Sequence, residues 1–69
     1  MKLSARNILK GTVVKVVPGA VNSEVVIRLA DGIEIVSIVS KSSVDALGLK
    51  PGAATYAIIK ASNVILGVD

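Results

Sequence analysis

Apolar and polar residues alternate along most of this chain. From Leu9 to Val17 they fall on two faces, with Leu9, Gly11, Val13, Lys15 and Val17 on one and Lys10, Thr12, Val14 and Val16 on the other. That period of two predicts a strand, closed by Pro18-Gly19. Gly11 inside it suggests a bend or bulge of the kind barrels use at corners. After a turn-rich stretch from Pro18 to Ser23, Glu24 to Leu29 alternates again, with Val25, Ile27 and Leu29 on one face. Asp31-Gly32 predicts a two-residue hairpin turn of the primed type. Ile33 to Val39 is the return strand, apolar on both faces, as a strand buried on two sides would be. Ala54 to Lys60 predicts a fourth strand. Ala61-Ser62-Asn63 interrupts it, and Val64 to Val68 predicts a short fifth. The only helical candidate is Ser40 to Leu47, with Ser42 as N-cap, Asp45 in the first turn, Val44 and Leu47 facing the core and Gly48 as the stop.

The predicted order is three strands, a short helix, then two strands. This is the layout of an all-β, five-stranded Greek-key barrel of the oligonucleotide/oligosaccharide-binding type, with the helix between strands three and four; an SH3-like barrel is the competing arrangement. The 69 residues make a single domain, 1–69, small enough to need help in burying its apolar surface. With no Cys and no His, disulfides, thiolate sites and the common zinc and copper sites are excluded. Oligomerisation is the remaining remedy. Val and Ile supply 20 of the 69 residues, more apolar strand than one barrel with a solvated outer face requires, which predicts a second buried surface between subunits.

Charge and candidate chemistry narrow the function. The chain carries eight basic and five acidic residues, a net +3 that favours an anionic partner but forms no basic run. No segment is long and apolar enough to span a membrane, and no leader pattern opens the chain, so a cytoplasmic protein is expected. Without His or Cys, acid–base and nucleophilic machinery is nearly absent. Asp31, Asp45 and Asp69 sit at a hairpin, a helix and the terminus, and Glu24 and Glu34 lie on solvated strand faces, so no enzyme is expected. Single-stranded nucleic acid, the alternative ligand for such a barrel, needs several aromatic platforms, and Tyr56 is the only aromatic residue.

Two segments suit a small anion: Ser4-Ala5-Arg6-Asn7 and Lys60-Ala61-Ser62-Asn63. Each joins a cation, a hydroxyl and an amide to short residues that let backbone N–H groups approach a ligand. A third candidate pairs the Pro18–Ser23 turn with Ser40-Lys41-Ser42 at the helix start. The same residues also serve ordinary turn and cap chemistry, and composition leaves both readings open.

The opening SARNILKGTV from Ser4 resembles the signature of the molybdate-binding Mop family, the molbindins, within the wider TOBE group. EVVIRLADG from Glu24, IVSIVSKSSVDALGLKPG from Ile35 and YAIIKASNVILG from Tyr56 extend the resemblance over nearly the whole chain. The resemblance implies a barrel that assembles as a homo-oligomer, a hexamer built as a trimer of dimers. It implies molybdate or tungstate held between subunits for storage, with no catalytic cofactor and no direct protein–metal coordination. One class of site would use Ser4, Ala5, Arg6, Lys60, Ala61 and Ser62. A second would use Gly19, Ala20 and Val21 with Ser40, Lys41 and Ser42.

Overall fold

The computed structural model describes all of residues 1–69. Four strands, β1 (Asn7–Pro18), β2 (Asn22–Leu29), β3 (Glu34–Ser40) and β4 (Ala54–Ile59), form one antiparallel sheet in the order β3-β2-β1-β4. A short helix, α1 (Lys41–Leu47), links β3 to β4, and a 3-10 turn covers Ala61–Asn63. The sheet curls so that Val13, Val25, Ile27 and Ala57 meet at a buried centre. Leu9, Val16, Leu29, Ile35 and Val39 from the strands, Val44 from the helix, and Leu49 and Ala53 pack around it. Only six of the 69 residues are buried, so the core of one chain is small.

Alternation along β2 places Val25 and Ile27 inside, although Val26 on the opposite face is buried as well; along β3, Val36 and Ile38 lie outside. On β1 it breaks. A bulge lies between Val13 and Lys15, where the pairing with β2 slips by one residue. The extra residue exchanges the two faces, so Val16 joins the core while Lys15 and Val17, expected on the face of Val13, point outward. Gly11 has a different reason for being glycine. A Cβ there would lie 2.6 Å from Ile27 Cγ2 and 2.7 Å from the Arg28 carbonyl, so β1 and β2 pack too closely to admit a side chain.

The β2–β3 hairpin is longer than the two-residue turn expected. Arg28 pairs with Glu34, and Leu29 N–H donates to the Ile33 carbonyl at 2.8 Å, leaving Ala30, Asp31 and Gly32 as a three-residue loop. Gly32 takes the left-handed position such a loop requires, at φ 89°. The helix also starts earlier than expected. Ser40, not Ser42, is the N-cap, its hydroxyl accepting the Ser43 N–H at 3.1 Å. Asp45 therefore falls beyond the first turn. Leu47, expected in the core, is 70% exposed, and Leu49 packs there instead after Gly48 turns the chain.

The largest correction concerns the fifth strand. Val64 to Asp69 has no strand partner in this chain, and Ile65, Leu66 and Val68 are 93%, 90% and 99% exposed. A strand needs an edge to pair with, and after the 3-10 turn that follows β4 the tail pairs with neither free edge of its own sheet. Between those edges, β3 and β4, lies an open apolar seam lined by Ile27, Ile35, Val36, Tyr56, Ile58 and Ile59, among others. The outer face of β3, expected to be buried, leaves Val36 and Ile38 exposed, and Tyr56 and Ile58 of β4 are exposed as well. No helix is long and apolar enough to cross a membrane.

Gly11→Ala is expected to cost about 1–3 kcal/mol, the usual penalty for forcing atoms into a packed interior. Urea denaturation at fixed protein concentration measures it, and an unchanged midpoint would mean that β1 and β2 can part without cost.

Candidate functional site

Antiparallel pairing of β1 with β4 builds the first candidate site. The ladder runs from Thr12 opposite Ala54 to Asn7 opposite Ile59. The residues before Asn7 and after Ile59 therefore leave the sheet side by side. Ser4, Ala5 and Arg6 come from one segment and Lys60, Ala61 and Ser62 from the other. Together with Ile58 they line one recess of about 510 Å³. Period two along β4 sets Ile58 and Lys60 on the same outward face, so the apolar floor and the cation belong to the outside of the sheet.

The recess is rich in donors. Lys60 precedes the 3-10 turn, which is closed by Asn63 N–H on the Lys60 carbonyl at 2.9 Å and by Val64 N–H on the Ala61 carbonyl at 3.3 Å. The first amides of such a turn have no internal acceptor. The N–H groups of Ala61 and Ser62 accordingly bond to no backbone oxygen, and neither do those of Ser4, Ala5 and Arg6. No carboxylate lines the recess, and the one ion pair in the protein is elsewhere, between Arg28 and Glu34 at 2.7 Å. Arg6 and Lys60 therefore have no acidic partner. A second recess of about 510 Å³, at Lys10, Thr12 and Arg28, contrasts with it: the guanidinium there is already held by Glu34.

The second candidate cluster also comes together, by a different route. Lys41 N–H donates to the Val21 carbonyl at 3.0 Å, which ties the Gly19–Val21 turn to the start of α1. Asn22 pairs with Ser40 beside it. The turn is tight: a Cβ on Gly19 would come within 2.3 Å of the Asn22 carbonyl oxygen. Here the serine hydroxyls are engaged, since Ser40 Oγ accepts from Ser43 N–H and lies 3.1 Å from Ser42 Oγ and 2.7 Å from Ser43 Oγ, while the Gly19, Ala20 and Val21 amides bond to no backbone oxygen. Of the two clusters, only the first lines a recess.

A profile of the TOBE domain matches residues 3–66. A probable molybdenum-pterin-binding protein of Haemophilus influenzae is 48% identical over 69 residues, covering the whole of both chains. Among solved structures, MopII from Clostridium pasteurianum superposes with a TM-score of 0.91 at 45% identity, covering 97% of this chain and 100% of its own.

The chain belongs to the TOBE domain family, within its Mop branch.

A further solved structure similar to this chain is that of the cytoplasmic molybdate-binding protein ModG in a form with molybdate bound. It matches with a TM-score of 0.97 and 61% identity over all of this chain, which spans 49% of the ModG chain. These relatives are described as binding proteins. Two features of this TOBE domain's first cluster escaped the sequence reading. Ile58 supplies the floor, which its two-residue spacing from Lys60 could have signalled. Asn7 was grouped with its segment, but its partner, the Ile59 carbonyl, lies on a strand more than fifty positions away and has no local signature.

For the second cluster, Ser40→Ala is expected to cost about 1 kcal/mol through loss of the N-cap and to speed amide exchange at Ser43. Hydrogen-exchange NMR reads both effects. Unchanged protection at Ser43 would mean the hydroxyl does not hold the helix start.

Proposed function

We propose that this TOBE domain binds molybdate and tungstate as free oxyanions for cytoplasmic storage or homeostasis, and that it does no catalysis. The observation that carries the reading is the recess where Ser4, Ala5 and Arg6 meet Lys60, Ala61 and Ser62, furnished with donors and without a carboxylate. At neutral pH a tetrahedral molybdate dianion has four acceptor oxygens and no proton to donate, so donors alone complement it. Protonated phosphate would set its own donor against another donor, which selects against it. No aromatic side chain lines the recess to stack on a pterin ring. Tyr56 stands alone on the outer face, which disfavours the alternative of single-stranded nucleic acid.

The working form in this proposal is a homo-oligomer, a hexamer arranged as a trimer of dimers. The recess lies on the outer face, where the apolar surface is also concentrated. The seam between β3 and β4 and the unpaired apolar tail Val64–Val68 are the surfaces that neighbouring copies would cover. A tail seated in a neighbour's seam would supply the fifth strand of a closed barrel and remove both free edges. The cluster of Gly19, Ala20 and Val21 with Ser40, Lys41 and Ser42 is a second class of oxyanion site in the same assembly.

Light scattering on the purified protein is expected to give a mass several times that of the chain. A folded monomer at micromolar concentration would overturn the assembly and any site shared between copies. Calorimetry is expected to rank molybdate and tungstate well above phosphate, with sulfate weaker than molybdate. Equal affinity for phosphate would indicate a generic basic recess, and preference for an oligonucleotide would favour the alternative. Lys60→Ala is expected to lose about 2–5 kcal/mol of binding, the cost of removing a charge from a desolvated pair. Ser62→Ala should lose about 1 kcal/mol, as for one neutral donor. Lys15→Ala and Lys50→Ala lie outside both clusters; if they weaken binding as much as Lys60→Ala, the charge acts diffusely and the site assignment fails.

A further inference from the structure

One side-chain hydrogen bond in this protein joins residues far apart in sequence. Asn7 Nδ2 donates to the Ile59 carbonyl at 3.1 Å, across 52 positions, and is partly buried; every other side-chain hydrogen bond spans six positions or fewer. It sits at the last registered pair of the β1–β4 ladder, where strand ends ordinarily fray. On either side of it the chain leaves the sheet for the donor recess: Arg6 precedes Asn7, and Lys60 follows Ile59.

We propose that Asn7 is a positioning residue for the recess, holding its two half-sites at a fixed separation and orientation; the proposal rests on the oxyanion reading above. The argument is geometric. The Ile59 carbonyl belongs to the same planar peptide unit as the Lys60 N–H. Fixing that oxygen fixes the direction of the Lys60 amide and the start of the 3-10 turn that presents the Ala61 and Ser62 amides. At the other end the bond anchors Asn7 and, through its own peptide unit, Arg6. A carbonyl oxygen has two lone pairs, so Ile59 can accept from the side chain and still serve the ladder. Asn suits the position because it is short, uncharged and a donor. Asp would set an acceptor against the carbonyl and place a negative charge beside an anion site. Two half-sites tethered only by strand ends would have to be ordered by the ligand itself, and that ordering subtracts from affinity.

The test uses the full chain in its native assembly, with Asn7→Ala, Asn7→Leu and, as a stability control, Val39→Ala. Leu keeps most of the volume of Asn but cannot donate. Val39 packs against the core and lies in neither cluster. Sodium molybdate affinity by calorimetry is expected to fall about fivefold to tenfold in both Asn7 variants, what one lost hydrogen bond is worth. Amide exchange at Ala61, Ser62 and Asn63 should rise without ligand. Val39→Ala should lower Tm at least as much yet keep affinity within about twofold. Wild-type affinity in Asn7→Leu, or unchanged exchange in the Lys60–Asn63 turn, would overturn the proposal. An equal loss of affinity in Val39→Ala would also overturn it, by tracing the effect to general stability. If the native protein binds none of the oxyanions while the Asn7 variants still loosen the turn, the clamp stands and the oxyanion reading falls.

Discussion

The pairing of β1 with β4 is the constraint on which the rest of this molecule depends. It joins the first strand to the last through a run of registered pairs from Thr12–Ala54 to Asn7–Ile59. Gly52 N–H on the Val13 carbonyl and Val13 N–H on the Ala53 carbonyl carry it further, through the loop after the helix. Because side chains alternate along a strand, a slip of one residue would send Ala57 out of the core and turn Lys60 inward. The register that buries Ala57 beside Val13 is thus the same one that brings the two donor segments into a single recess. Core packing and site geometry are specified together.

That economy has a consequence for stability. A 69-residue chain without disulfides, with six buried residues, relies on little core of its own. The rest of its apolar surface is concentrated in the unpaired tail, along the seam between β3 and β4, and on the outer faces of those strands. An exposed apolar strand edge is an invitation to pairing that soluble proteins normally blunt. Here it is left open, and Ile58 belongs both to the seam and to the floor of the donor recess. In the proposed assembly, a copy that covered one would close over the other, and assembly would then be coupled to desolvation of the recess.

Much of this was legible in the sequence, and what was not shares a cause. Alternation in the second strand grouped Val25 and Ile27 on one face, which is the buried one, because that segment reports its own period. The bulge near Val14, the third residue of the β2–β3 loop and the choice of Ser40 over Ser42 as cap depend on how a segment meets its neighbour, which period does not encode. Gly11 was noticed, but its reason is the approach of Ile27 and Arg28 from another strand. Val64–Val68 has the composition of a strand, yet pairing is a property of two edges, and this segment pairs with neither free edge of its own sheet. In the first donor cluster, the cations and hydroxyls were visible as residue types; the contribution of the free amides and of the Ile58 floor depends on the ladder register.

The electrostatics complete the argument. Arg6 and Lys60 line one recess with no acidic residue, a placement that exposed single chains tolerate because water screens it. In the proposed assembly, burial between copies would remove that screening, and two like charges in a drier recess would repel more strongly. A dianion placed between them reverses the sign of the interaction and supplies acceptors to amides that otherwise lose their water on assembly. In the proposed assembly, the arrangement that would cost the empty form most would therefore be the one that stabilises the filled form most. Mass action then links the two, since whatever binds only the assembled form shifts the equilibrium toward it. In this protein the absence of a carboxylate from the recess is as much a part of the site as the presence of the two cations.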